Sequence, residues 1–435
     1  MMRIPDLIRK KQKHEELTSE EIEFFVTGYA SGQIPDYQAA ALCMAIWFRG
    51  MSDEETAELT LAMARSGDQI DLSRIPGIKV DKHSSGGVAD TTTIAVAPLV
   101  AACGGKVAKM SGRGLMHSGG TLDKLESIEG YSISQSMEDF ERIVNTCGAS
   151  IIGQTANLVP ADKKLYALRD VTSTVDTMPL IASSIMSKKL ASGGDKILLD
   201  VKWGSGAFMQ NLDDAVVLAK LMVNIGKHAG RPTEALVTNM NQPLGNAVGN
   251  ALEVIEAIEI LKGGCEGDLK DLILELSARM LVMGEIYTQF DDALEAVKES
   301  ITSGAAIEKL KEIIMMHGGN PAICDDTDLL PQAGKIIAVT ADKAGYITGM
   351  ATDEIGMASV MIGAGRETKN DIIDPAVGLW MKRRLGDEVK VGDILAEFHV
   401  NDESSFEAAK ARFLAAIKIE DEPVTPEVLI AQVIN

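Results

Sequence analysis

Lys82-His83-Ser84-Ser85-Gly86-Gly87-Val88-Ala89-Asp90-Thr91-Thr92-Thr93 follows the short apolar run Ile78-Lys79-Val80 and opens onto an apolar, helix-like run from Thr93 to Cys103. Strand, glycine-rich turn and helix in that order predict an α/β unit with an anion site at its turn. Glycines let backbone N–H groups come close to a ligand, and the helix N-terminus adds partial positive charge. A second block answers the first: Lys109-Met110-Ser111-Gly112-Arg113-Gly114, then Ser118-Gly119-Gly120-Thr121, after the apolar pair Val107-Ala108. Lys82, Lys109 and Arg113 supply full charge; Ser84, Thr93, Ser111 and Thr121 supply hydroxyls. Neither block matches GxxxxGK[ST] or GxGxxG. The local chemistry is that of an oxyanion site, phosphate first among the anions; the bland alternative is two ordinary βα turns with a polar rim.

Outward from this stretch, strand-like and helix-like runs alternate at 78–81, 93–103, 106–110, 137–147 and 150–153, which predicts a mainly parallel sheet with ligands beyond its C-terminal strand ends. Before it, Thr18-x-x-Glu21 and Ser52-x-x-Glu55 read as capping boxes, and Pro35-Asp36 starts a further helix, so 1–66 reads as three short helices. Two more helices, Asp162 to Val171 and Pro179 to Leu190, interrupt the alternation. They are expected to leave the sheet and pack on the N-terminal helices, with chain crossings near 67–77, 155–161 and 191–195. The sheet resumes at Ile197 to Val201 and Leu236 to Thr238, and 247–317 reads as helical. The region 334–400 is β-like, and Gly386 to Ala396 resembles the hammerhead sheet of biotinyl-carrier-like modules; with no lysine in a Met-Lys-Met turn, it reads as structural.

The expected fold is therefore α/β: a small discontinuous all-helical domain (1–66 and 162–190), a large mixed α/β domain carrying the phosphate site (78–154 and 195–330), and a C-terminal β-rich, hammerhead-like α+β portion (331–435).

Composition narrows the function classes. The 435 residues are 46% hydrophobic without a very long apolar run, and the N-terminus carries no apolar signal core, so a cytoplasmic globular protein is expected. Five scattered cysteines without a CxxC pair suit buried thiols better than disulfides or zinc. A formal charge of −21 argues against nucleic acid and anionic membrane as partners. It also means that an anion site must concentrate positive charge locally.

Ser111-Gly-Arg-Gly-Leu-Met-His-Ser-Gly-Gly-Thr-Leu-Asp-Lys-Leu-Glu126 resembles the signature of the thymidine and pyrimidine-nucleoside phosphorylases, and Lys82 to Gly87 resembles that family's phosphate loop. The similarity continues through Ile152-Gly-Gln154, Pro160 to Lys163, Arg169-Asp170, Ser184 to Lys189, Gly206 to Phe208 and Met240 to Gln242. Met116, Ser118, Ser85 and Ala89 depart from the family pattern; serine for threonine keeps the hydroxyl, whereas Met116 adds bulk.

The resemblance implies phosphorolysis of pyrimidine nucleosides (uridine, thymidine, deoxyuridine) to free base and α-D-(deoxy)ribose 1-phosphate, without an organic cofactor, by a homodimer. It implies catalytic roles for His83, Arg169 and Lys188, and phosphate binding by Lys82, His83, Ser84, Thr93, Lys109, Met110, Ser111 and Thr121. Nucleoside binding falls to Arg169, Ser184 and Lys188, and a potassium ion to Thr91, Glu256 and the carbonyls of Ala89, Leu244 and Ala247. His117 is expected only to pack or orient.

Ser184 and Lys188 are four apart and share one helix face; Lys189, one step round, is expected to tolerate alanine, and the bland alternative is that Lys188 and Lys189 form a solvated helix face. Three competing readings stay open: a thymidine-restricted enzyme, an anthranilate-phosphoribosyltransferase-like enzyme, and a non-catalytic nucleoside sensor.

Overall fold

A computed structural model describes residues 2–114, 117, 119–368 and 371–435. The departures at Met116 and Ser118 lie outside the described residues.

The strand Val80–Ser84 lies beside Lys196–Trp203, which lies beside Thr233–Asn239, all parallel. On its other side a bridge between Lys79 and Lys106 joins it to the parallel pair Val107–Ser111 and Ala149–Gly153. Chain order thus runs outward from Val80–Ser84 for two strands, then jumps back to its other side for two more. In parallel α/β sheets the ligand crevice opens beyond the strand C-termini at such a reversal. The near-continuous apolar runs Ile197-Leu198-Leu199 and Leu236-Val237 fit strands covered on both faces.

The last strand of the chain, Ile430–Ile434, pairs antiparallel with Thr233–Asn239. The sequence had assigned all of 331–435 to the C-terminal portion; this strand instead covers the open edge of the large sheet, where unpaired N–H and C=O groups need partners. The exchange is mutual. Ala247–Gly249, inside a stretch read as helical, pairs with Gly378–Met381 in a four-stranded C-terminal sheet. Five residues of alternating pattern carry no record of which sheet they join.

Four helices precede the sheet: Ile4–Gln12, Ser19–Ala30, Asp36–Arg49 and Asp53–Ala64. The sequence showed the last three. Both capping boxes form, Thr18 with Glu21 and Ser52 with Glu55. Glu55 also accepts Lys11 Nζ at 2.9 Å, a buried pair that pins the unpredicted first helix. The helices Pro160–Asp170 and Met178–Ala191 pack against this group: Thr60 Oγ1 donates to Ser183 Oγ at 3.1 Å, and Leu42, Leu59, Leu165 and Leu180 share one apolar core.

The three chain crossings lie side by side, with Asp68 N donating to Asn157 O at 3.1 Å and Ile70 N to Ala191 O at 2.9 Å. The approach explains two glycines. A Cβ on Gly67 would stand 2.1 Å from Asn157 O, and Gly193, at φ +84°, would place one 2.3 Å from Ile70 O. The helix Met178–Ala191 consequently leaves the helical group and ends against the sheet, which brings Lys188 and Lys189 to the crevice.

Candidate active site

The crevice is bounded by the two glycine-rich blocks, by Gln154, and by Ile185, Lys188 and Lys189 of the helix Met178–Ala191. Of the predicted phosphate residues, His83, Ser84 and Thr93 line it from the first block, and Lys109, Met110, Ser111 and Thr121 from the second. Ser84 Oγ donates to Asp90 Oδ2 at 2.5 Å and accepts from Gly86 N at 3.2 Å, which folds the first turn back on itself. Lys202 N donates to Ser85 Oγ at 2.8 Å, so serine in place of threonine still anchors the turn to the neighbouring strand.

Lys82 is not brought to the crevice wall. It is 1% exposed and lies a layer beneath, where Nζ donates to Thr92 Oγ1 and stands 3.6 Å from Asp200 Oδ2. Along the strand Lys82 leaves on the face opposite to Asp81 and His83, and its ammonium is held in the layer on that side. Lys202 Nζ joins this buried layer, 2.7 Å from Asp200 Oδ2 and 3.9 Å from Asp90 Oδ2. On the crevice side, Asp81 Oδ2 stands 2.8 Å from Lys189 Nζ and Asp81 Oδ1 3.6 Å from Lys109 Nζ.

Four lysines (82, 109, 189, 202) therefore surround three aspartates (81, 90, 200), a local positive excess in an acidic chain. That excess bears on the protonation of the groups within it. Burial, then repulsion from Lys189, pulls Lys109 down to about 7. Burial and then Lys189, Lys109, Lys82 and Lys188 hold the His83 imidazole well below its usual value, hence neutral at neutral pH. Burial raises Asp90, but Lys82, Lys202 and Lys124 outweigh it and hold it well below the usual carboxylate range. An anion entering the crevice meets hydroxyls, a neutral imidazole and under-compensated ammonium groups.

On the opposite wall Lys188 Nζ pairs with Asp162 Oδ2 at 2.5 Å and donates to Ser184 Oγ at 3.2 Å. Ser184 and Lys188 thus form one polar unit, as their spacing predicted. Arg169 does not join them. It is 1% exposed, and its Nε, Nη1 and Nη2 donate to the carbonyls of Thr174, Leu180 and Val175 at 3.0, 3.0 and 2.6 Å. The expected contact of its guanidinium with a base is replaced by ordering of the 172–180 turn, which sets the start of the Lys188 helix. The solvated-face alternative does not hold for Lys189. It is 3% exposed and paired with Asp81, because the helix end is buried against the sheet rather than solvated. His117 stands outside this crevice, with its carbonyl and Cβ close against Gly356.

The segments named for a cation do converge. Leu244 N and Gly245 N donate to the carbonyls of Val88 and Ala89 at 3.1 Å each, and Asn246 N and Ala247 N donate to Glu256 at 2.7 and 3.0 Å. Burial raises the Glu256 carboxyl, the state of an acid short of positive charge. Four of the five positions are thus engaged within the chain: besides Ala89 O and Glu256, Thr91 Oγ1 donates to Glu253 at 2.6 Å, and Arg384 donates to Leu244 O at 3.3 Å.

The motif pattern left Asp81, Asp162 and Lys189 without roles. The available signal was charge inside otherwise buried elements, since a fully buried charge must be paired.

Comparison with known proteins fits this geometry. Residues 5–67 match a family model described as the helical bundle domain of a glycosyl transferase family, and 77–307 match its a/b domain. Residues 346–420 match the pyrimidine nucleoside phosphorylase C-terminal domain. A solved anthranilate phosphoribosyltransferase from Thermus thermophilus, 19% identical, superposes with a TM-score of 0.57 over 72% of this chain and 99% of its own, a likeness of fold. Fold and cleft thus define a pentosyltransferase of the glycosyl transferase class. A pyrimidine-nucleoside phosphorylase of Bacillus subtilis is 52% identical over 428 residues, 98% of this chain and 99% of that one. One of Staphylococcus epidermidis is 54% identical over 400 residues, 92% of each chain. The chain belongs to the pyrimidine-nucleoside phosphorylase family.

Proposed function

We propose that the protein phosphorolyses pyrimidine nucleosides, with uridine, thymidine and deoxyuridine as substrates. The carrying observation is the crevice's two-sided chemistry: serine and threonine hydroxyls with Lys109 on one wall, the Ser184–Lys188 unit on the other, and His83 between them. Phosphate held by Ser84, Thr93, Ser111, Thr121 and Lys109 attacks C1′ as the glycosidic bond breaks. Bond making to phosphate and bond breaking to the base conserve electrons without an enzyme nucleophile, and the configuration at C1′ inverts. The pyrimidine leaves with negative charge, which Lys188 stabilises while Ser184 reads a polar edge of the ring. His83, neutral, contributes a hydrogen bond rather than a formal charge. Positioning and charge stabilisation are the terms at work. Arg169 acts through the 172–180 turn, and Lys82 through the field beneath the loop.

Incubation with uridine, thymidine and deoxyuridine in parallel, with and without inorganic phosphate, tests this. Phosphate-dependent release of free base is expected. Release that ignores phosphate, or a magnesium-dependent reaction of phosphoribosyl diphosphate, overturns it. Binding without turnover would make the protein a sensor.

A potassium ion would suit the oxygen-rich convergence around Glu256, where that carboxylate, the carbonyls of Ala89, Leu244 and Ala247, and Thr91 would hold it. Its charge would relieve the buried acid. Potassium is expected to raise Tm by a few degrees over sodium at equal ionic strength, and Glu256→Ala to erase the difference. Equal melting in both salts for the unaltered protein counts against the ion.

The homodimer is supported by Tyr37 and Phe48, 73% and 68% exposed on the helix Asp36–Arg49; light scattering reads the mass directly. Among the described residues no helix is long and apolar enough to cross a membrane.

A further inference from the structure

Asp81 precedes His83 by two residues on the strand Val80–Ser84, so both side chains leave on the same face. That face meets two other elements. The strand Val107–Ser111 brings Lys109, whose Nζ donates to Lys82 O and lies 3.6 Å from Asp81 Oδ1. The end of the helix Met178–Ala191 brings Lys189, whose Nζ lies 2.8 Å from Asp81 Oδ2 and 3.4 Å from Met110 O. Asp81 is 1% exposed, and its Oδ1 has no hydrogen-bond partner among the described residues. One buried carboxylate is thus shared unequally: a hydrogen-bonded pair toward the helix, a looser ion pair toward the phosphate strand.

We infer that Asp81 is a positioning residue that ties the two halves of the site together, holding the Lys188 helix end through Lys189 while leaving Lys109 short of an anion that incoming phosphate supplies. This rests on the reading that Lys109 meets phosphate. The charged and titratable groups facing Lys109 are Asp81, Lys82 and His83 on the adjacent strand and Lys189 on the helix. Burial and Lys189 draw its proton off near neutral pH, Lys82 adds to that, and Asp81 opposes it. Lys109 therefore reports on Asp81. Removing Asp81 must make Lys109 harder to protonate; removing Lys189 must make it easier, both by lifting a repulsion and by freeing Asp81 to serve Lys109 alone.

The experiment measures kcat/KM for phosphate from pH 6 to 9, at saturating nucleoside, for the unaltered protein, Asp81→Asn and Lys189→Met. Phosphate's own ionisation is common to all three, so differences belong to the protein. The alkaline limb, where a neutral Lys109 stops holding phosphate, is expected to move to lower pH in Asp81→Asn and to higher pH in Lys189→Met. Each displacement should be on the order of one pH unit. In both variants kcat/KM for the nucleoside should fall, since the helix end loses its tie. A merely structural residue would not move the limb in opposite directions.

Unmoved limbs, or displacement in the same direction, overturn the inference. Should Asp81→Asn fail to fold, Lys189→Met decides alone, an upward shift supporting and an unmoved limb overturning. Lys109→Met separates the layers of the argument. If it leaves phosphate use intact, both the phosphate site and this inference fall; if it impairs phosphate use while the limbs in the other variants stay put, only the inference falls.

Discussion

Lys188→Ala is expected to lower kcat/KM for every pyrimidine nucleoside by about 10²–10³, the usual worth of one donor aimed at developing charge. Phosphate affinity should change little, because the hydroxyls and Lys109 lie on the other wall. The substitution acts twice, however. Lys188 is also the cation paired with Asp162, which is 1% exposed. Leaving that carboxylate buried and unpaired costs about 3–5 kcal/mol, so the variant should also melt early. Adding Asp162→Asn separates the two effects: stability should return and turnover should not. Full kcat/KM in Lys188→Ala, measured on protein shown to be folded, would remove Lys188 from the chemistry.

The second expected result sets two lysines against each other. Lys109→Met should lower kcat/KM for phosphate by about 10²–10³ with only a modest fall in Tm, because Asp81 keeps its 2.8 Å partner Lys189. Lys82→Met should do the reverse. Its ammonium belongs to the buried layer with Thr92 and Asp200, so its removal should cost about 3 kcal/mol of stability. Its effect on phosphate should be smaller, through the field and the set of the turn. Phosphate kinetics and thermal melts on both variants check this. A Lys82 variant that melts normally and loses phosphate as severely as the Lys109 variant would place its side chain in the crevice after all.

The contrast between these lysines marks how far the sequence carried. Both were read as phosphate ligands because both stand in glycine-rich blocks. The motif fixes backbone position and residue type, but packing across the strand decides which buried layer a side chain joins, and Lys82 leaves on the face opposite to Asp81 and His83. His83 faces the crevice and Lys82 does not. Arg169 likewise lies away from the crevice wall. A cation near the end of a helix looked free to meet a base, yet its guanidinium is consumed by three carbonyls of a turn whose path no local pattern reveals.

What the sequence determined by itself rests on short-range physics. Capping boxes at Thr18 and Ser52 and the helix end at Gly148 are satisfied within a few residues, so local pattern placed them. The family motif added the chemistry of the site, residue type by residue type. Tertiary structure alone decided the long-range pairings. The final strand Ile430–Ile434 joins the large sheet, Ala247–Gly249 joins the C-terminal one, and Lys189 reaches Asp81 across 108 residues of chain. In each case a buried polar group or an open sheet edge needs a partner. The sequence shows the need, and only the folded chain shows which distant residue meets it.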